Sequence, residues 1–246
     1  MIHSTVSRAL IGLFLLTFLL AAHYTWMAPA SMPLIQGKVN KIQIAHGHHF
    51  PASEEAVAAT QVRAFAVSPG GKRTELTAVA AGRVVLLDYT PSEAGTHGLG
   101  FVQDRGVSSR TPGGVKKGGR DVNPSATQAF HMVRTAVGYA STGKVNPSGN
   151  GLGLEFEIVP QISGGTITLQ LLRTGKPLPG VGIGLLVNGA EEPNELGKTD
   201  AQGRLVYRPG AGVKPPVLFI ADFSEPARKG AAYDSTNLST SLYLGW

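Results

Sequence analysis

Apolar positions along this chain follow two patterns. One is an unbroken run over residues 9–22, "ALIGLFLLTFLLAA", preceded by a short stretch that carries Arg8 and no acid. The run has 14 residues, whereas a membrane-spanning helix needs about 20. Basic start, short apolar core and small residues at the end predict a secretory signal peptide over residues 1–22. Two cleavage points compete. A cut after Ala22 follows the run directly and leaves His23 first. A cut after Ala30 uses the small pair Ala28 and Ala30 but lies far from the run. The first is the expected site, and an uncleaved segment extended through "HYTWM" would be an anchor, the chain's one route to a membrane.

The other pattern is short-range alternation. In "LIQGKVNKIQIAHGHHF" (residues 34–50), Ile42, Ile44, His46 and His48 fall on one face by the strand period of two, with His49 on the other. Residues 59–68 alternate through Val62, Ala64 and Ala66; residues 74–91 predict two short strands; residues 95–103 put His97, Leu99 and Phe101 in line. "TQAFHMVRTAVGYA" (residues 127–140) fits helix or strand, and strand is preferred. Beyond "STGKVNPSGNGLG", "LEFEIVPQ" alternates again. Two further strands then flank a turn at Thr174 and Gly175, the second carrying Val181, Ile183, Leu185 and Val187 on one face. A turn over residues 200–203, a short strand, and the strands "PVLFIADF" and "STSLYLGW" complete the chain. Regular short strands without long helices predict an all-β chain of two β-sandwich domains, residues 23–150 and 151–246, meeting near residues 149–153. The second is expected to fold alone.

Composition sharpens this picture. The 246 residues include 32 Gly and 16 Pro, suiting many turns, and no Cys, so an exported chain must rely on its packed core. The net charge is +6. Much of it lies in residues 104–121, with Arg105, Arg110, Lys116, Lys117 and Arg120, expected to be a solvated loop. An anionic lipid or polymer is the alternative partner. No aromatic residue interleaves these charges, and with export this argues against nucleic acid.

Several motifs fail. "GNGLG" and "GVGIG" lack the dinucleotide-binding spacing, and neither a phosphate-binding loop nor a nucleophile elbow occurs. The pairs Glu54–Glu55 and Glu191–Glu192 read as solvated surface, and His97 and His131 as surface or packed residues. "HGHH" is different. His46 and His48, two apart on a strand, would present both rings to one metal, with Gly47 leaving room for the ion. A nitrogen-rich site without thiolate suits Ni, Cu, Zn or Co and leans towards Ni(II) or Cu(II).

"AHYTWMAP…GKVNKIQIAHGHHFPASE", with His23, Trp26, His46 to His49, Phe50 and Pro51, resembles the opening of a family of exported bacterial proteins, domain of unknown function 4198, linked to nickel and cobalt uptake. "DYTPSEAGTHGL" resembles its next block. "LEFEIVP", "GKPLPGVGIGLL" and "TDAQGRLVYRP" resemble its second half, which is also similar to the carboxypeptidase-regulatory or transthyretin-like β-sandwich. The resemblance implies an exported protein of two β-sandwich modules with a role in metal capture, and the expectation for this chain is a periplasmic or secreted, non-enzymatic protein that binds Ni, Co or Cu and serves an uptake permease of the inner membrane. The resemblance also implies an Ala-His junction at the cleavage site. His23 would then offer an α-amine and a ring, as in a copper histidine brace, making His23, His46, His48 and His49 the expected ligands. Two rivals stand beside this expectation: a structural or adhesion module with incidental histidines, and a copper-dependent oxidative enzyme.

Overall fold

The computed structural model describes residues 23–143 and 151–245. The expected signal peptide, residues 1–22, lies outside them, as do residues 144–150 of the expected linker. No helix among the described residues is long and apolar enough to cross a membrane.

The first half supplies nine strands: β1 (Tyr24–Pro29), β2 (Asn40–Gly47), β3 (Val62–Val67), β4 (Arg73–Leu76), β5 (Val79–Ala81), β6 (Val84–Tyr89), β7 (Thr96–Thr111), β8 (Gly114–Lys117) and β9 (Gln128–Ser141). The second half supplies β10 (Phe156–Ser163), β11 (Thr166–Arg173), β12 (Lys176–Pro177), β13 (Gly182–Val187), β14 (Asn194–Lys198), β15 (Arg204–Tyr207), β16 (Val217–Pro226) and β17 (Ser235–Leu244). The chain is all-β, as its alternation predicts.

Three sheets result. The largest runs β14-β13-β16-β17-β9-β7-β3-β4, with β8 also on β7; one four-stranded sheet runs β1-β2-β6-β5; the other joins β10, β11 and β12, with β15 on β11. Side-chain parity decides what each face of the large sheet packs against. On β9, Val133, Val137 and Tyr139 join the core formed with Phe156, Ile158, Leu169 and Leu171 of the β10–β11 sheet. Ala136 and Ala140, on the opposite face, join the core with Met27, Ile42, Ile44 and Leu87 of the β1–β2 sheet. The same split recurs on β16, where Phe219 faces one core and Leu218 and Ile220 the other side, against Trp26 and Phe50. The two sandwiches are therefore built on one shared sheet. Each large side chain sealed there, such as Phe156 or Phe219, contributes about 1.5–3 kcal/mol.

The seam between the halves is the parallel pairing of β17 with β9, from Ser235↔Phe130 to Tyr243↔Gly138. Sheet and core thus cross the expected boundary, since Phe65, Val133, Val137 and Tyr139 pack with residues of the second half. Small residues make the layers close. A Cβ on Gly138 would lie 2.5 Å from the Met27 carbonyl oxygen, so glycine lets β1 rest directly on β9. The expected turn is present, with Thr174 and Gly175 at φ of +50° and +74° linking β11 to β12.

One expectation is corrected, and one strand was unforeseen. Residues 104–121 are no solvated loop. β7 runs on to Thr111, pairing with β9 as far as Arg110↔Gln128, and β8 folds back on it. The charges concealed a half-buried alternation in which Ser109 and Thr111 point inward. A bulge between Asp104 and Gly106, with Gly106 at φ +69°, shifts that register. β1, which the alternation did not predict, pairs with β2 along its whole length.

Candidate metal centre

The β1–β2 register builds the site. Tyr24 pairs with Gly47 and Thr25 with His46, so one step further His23 comes opposite His48. Parity puts His23, Thr25, His46 and His48 on the face that carries Met27 and Ile44 into the core. The histidines therefore cap the end of an apolar layer.

The chain after β2 then folds back over them. Phe50 sinks between Trp26 and Tyr243, at ring-centroid distances of 5.3 and 6.2 Å. The amides of Glu54 and Glu55 donate to the His46 carbonyl at 2.9 and 3.3 Å, and the His46 amide donates to Ser53 Oγ at 3.0 Å. This fold-back suspends both carboxylates above the imidazoles. The His23 ring stacks on His46 at 5.1 Å and tilts against His48 at 3.8 Å. His23 Nε2 lies 3.0 Å from Glu55 Oε1, and His46 Nε2 lies 3.7 Å from the same oxygen. His48 Nδ1 lies 3.2 Å from Glu54 Oε2, and the His48 amide donates to that oxygen at 2.8 Å.

Among the described residues, two three-residue groups of candidate metal donors result: His23, His46 and Glu55; and His23, His48 and Glu54. His23 belongs to both. His46 and His48 share a face, as the strand period predicts, but fall into separate groups. His49 belongs to neither; it is exposed and paired with Glu54 and Glu191. The space beside Gly47, expected to be free for an ion, is taken by Glu54, whose Cγ and Oε2 would each lie 2.9 Å from a Cβ at that position. Sequence reasoning set Glu54 and Glu55 aside as solvated. Only the unpredicted β1–β2 pairing and the fold-back make them neighbours of histidine.

Electrostatics keep the donors ready for a cation. Burial, with Arg134 and His23 nearby, pulls His46 down to about 4, so its ring is neutral at ordinary pH. Hydrogen bonds from His49 and from the His48 amide hold Glu54 down at about 2 as a carboxylate. Arg134 Nη1, which can only donate, lies 3.5 Å from His46 Nε2. The lone pair is therefore on Nε2, and Nδ1–H donates to Thr25 Oγ1 at 2.8 Å. His48 repeats this arrangement with Glu54 on its Nδ1 side, while its Nε2 is buried without a partner. Fixing one ring nitrogen so that the other points at a metal is how ligating histidines are oriented. The orphaned nitrogen and the mixed nitrogen and carboxylate donors fit a divalent first-row ion.

A cavity of about 730 Å³ opens beside His23. Arg105, Arg110 and Arg134 line it with Asp222, and Met132, Phe130 and Val115 add apolar surface. Burial and the neighbouring Arg105 pull Arg134 down to about 10. Asp222 is open to solvent yet ringed by protein atoms, and that surrounding pushes its carboxyl up. The two remaining histidines among the described residues lie apart. His97 is fully buried against Tyr89, and His131 pairs with Asp104 at 2.7 Å.

A family profile described as "Domain of unknown function (DUF4198)" matches residues 20–213. No curated protein sequence matches the chain. Among solved structures, a DUF4785 family protein from Legionella pneumophila is 13% identical with a TM-score of 0.28, over 80% of this chain and 51% of that one. The chain thus spans about half of that protein's length. Native alpha-2-macroglobulin from Escherichia coli, domains NIE-MG1, is 11% identical with a TM-score of 0.25, over 89% and 97% of the two chains. The D0-D1 domain of intimin is 9% identical with a TM-score of 0.23, over 92% and 100%.

Proposed function

The chain belongs to the DUF4198 family, and from that premise we propose that it is an exported, non-enzymatic carrier of a divalent transition metal, nickel or cobalt first. The observation that carries this reading is the sharing of His23 between two three-donor groups, one with His46 and Glu55, the other with His48 and Glu54. Support comes also from the buried, unpartnered Nε2 of His48 and the depressed basicity of His46. Imidazole with carboxylate and no thiolate suits nickel, cobalt, copper or zinc.

On this proposal the metal is cargo. Half-exposed His23 and exposed Glu55 admit it, and the buried ring of His46 and the partly buried ring of His48 draw it inward. The carrier hands it to an uptake permease of the inner membrane. Cleavage after Ala22 would add the α-amine of His23 as one more nitrogen donor. Mass spectrometry of the exported protein should find His23 first; a start at Ser31 would remove the central ligand, and a start at Met1 would indicate an anchor.

Equilibrium dialysis of the exported form against Ni, Co, Cu and Zn tests the binding itself. Saturable uptake, abolished by His23→Ala, is expected. Retention no greater than that of the His23→Ala variant would leave an interaction module with incidental histidines.

A further inference from the structure

We propose that the cavity beside the histidines is a second binding site, for a small organic polycarboxylate, and that its occupancy is coupled to metal loading. The coupling rests on the metal reading above; the cavity itself does not.

Charge makes the first argument. Three guanidiniums, Arg105, Arg110 and Arg134, line one cavity against a single carboxylate, Asp222. Among the described residues none of the three forms an ion pair, although Arg73, Arg120 and Arg173 all do. Guanidinium groups match carboxylates through paired N–H donors. Size and lining make the second argument. About 730 Å³ far exceeds an inorganic ion, and the apolar surface of Met132, Phe130 and Val115 suits a carbon skeleton. Ser239 and Asn237 on β17 add hydrogen-bonding groups at the wall.

Arg134 makes the third argument, because it belongs to both places. It lines the cavity, and its Nη1 points at His46 Nε2 from 3.5 Å, the lone pair a metal would take. A carboxylate in the cavity draws Arg134 off that nitrogen and neutralises a positive charge beside the incoming cation. A metal on His46 in turn releases Arg134 to the cavity. Each ligand therefore strengthens the other, and by linkage the factor is the same in both directions.

The test is calorimetric titration of propane-1,2,3-tricarboxylate, with inorganic phosphate as the comparison anion, into metal-free full-length protein. Binding to wild type should weaken at least tenfold in Arg105→Gln and Arg110→Gln. It should be unchanged in Lys116→Gln, which removes the same charge outside the cavity. Equal weakening in all three would reduce the site to general surface charge, and phosphate binding as tightly would overturn the polycarboxylate class. Preloading with Ni(II) should tighten tricarboxylate binding at least fivefold, and an unchanged affinity would overturn the coupling. If the tricarboxylate binds as expected while nickel does not bind at all, the metal reading falls and the cavity stands. If nickel binds and no variant alters the tricarboxylate, the cavity falls and the metal reading stands.

Discussion

Replacing Gly47 by Ala should separate the stability of the site's scaffold from the orientation of its ligands. The added Cβ would lie 2.9 Å from Glu54 Cγ, 2.9 Å from Glu54 Oε2 and 3.1 Å from Glu54 Cβ. Gly47 has no left-handed φ, so the cost is contact alone. The obstacle is mostly a movable side chain, and overpacking of this kind costs about 1–2 kcal/mol. For a chain of this size that lowers Tm by roughly 2–8 °C. The orientation of His48 should suffer more. Glu54 must swing out, and His48 then loses the acceptor that fixes its amide at 2.8 Å and its ring at 3.2 Å. Glu54 is also a donor of the second group, so its displacement removes a ligand as well, and losing the outer partner alone lowers metal affinity about 10–100-fold. Thermal denaturation and Ni(II) titration of wild type and Gly47→Ala give the two quantities separately. A variant with normal nickel affinity would refute the assignment of Glu54 as the positioner of His48. A variant that fails to fold would refute the estimate of an accommodating contact.

Thr25→Val keeps the shape of β1 but removes the acceptor of the His46 Nδ1–H; nickel affinity measured by calorimetry should fall about 10–100-fold with little change in Tm. Gly138→Ala should be severe, because the obstructing atom is the Met27 carbonyl oxygen of the backbone; a loss of about 3 kcal/mol, roughly 6–12 °C in Tm, is expected in a thermal scan. His97 gives a pH signature. Burial lowers its pKa below 6.5, with Tyr89 Oη on Nδ1 at 2.8 Å and Nε2–H donating to the Glu93 carbonyl at 3.1 Å. The folded state thus binds fewer protons than the unfolded one just below pH 6.5, so the stabilisation from neutral His97 is present above that pH and fades as pH falls through the folded value. The Tm difference between wild type and His97→Gln should shrink on acidification from pH 7.5 to 5; a difference constant with pH would contradict the buried neutral ring.

Much of the fold was legible because alternation reports burial directly: Val181, Ile183 and Leu185 face one core, and the Thr174–Gly175 turn joins its strands. Strands whose partners lie far away in sequence were harder. β1 is only six residues and directly follows an apolar run, so its own pattern carries no period; its pairing with β2 makes it a strand. The extension of β7 into residues 104–111 was hidden by charged residues on its exposed side. The same limit applied at the site. The spacing of His46 and His48 revealed a common face, but His23 reaches them across strands, and Glu54 and Glu55 arrive by a loop held on the His46 backbone. Arg134 is 88 positions from His46 in sequence, and only the packing of β9 beneath β1 and β2 brings them together.

The most direct test of the central claim is calorimetric titration of Ni(II) and Cu(II) into the form beginning at His23, as wild type and as the His46→Ala/His48→Ala double variant. Both donor groups lose a ring in that variant, leaving His23 with exposed or half-exposed carboxylates only. Affinity should fall at least a hundredfold, twice the loss expected on a logarithmic scale for one ligand-shell defect of about tenfold, while His131→Ala, paired with Asp104 outside both groups, should bind as wild type does. Equal affinities for wild type and the double variant would contradict the metal centre.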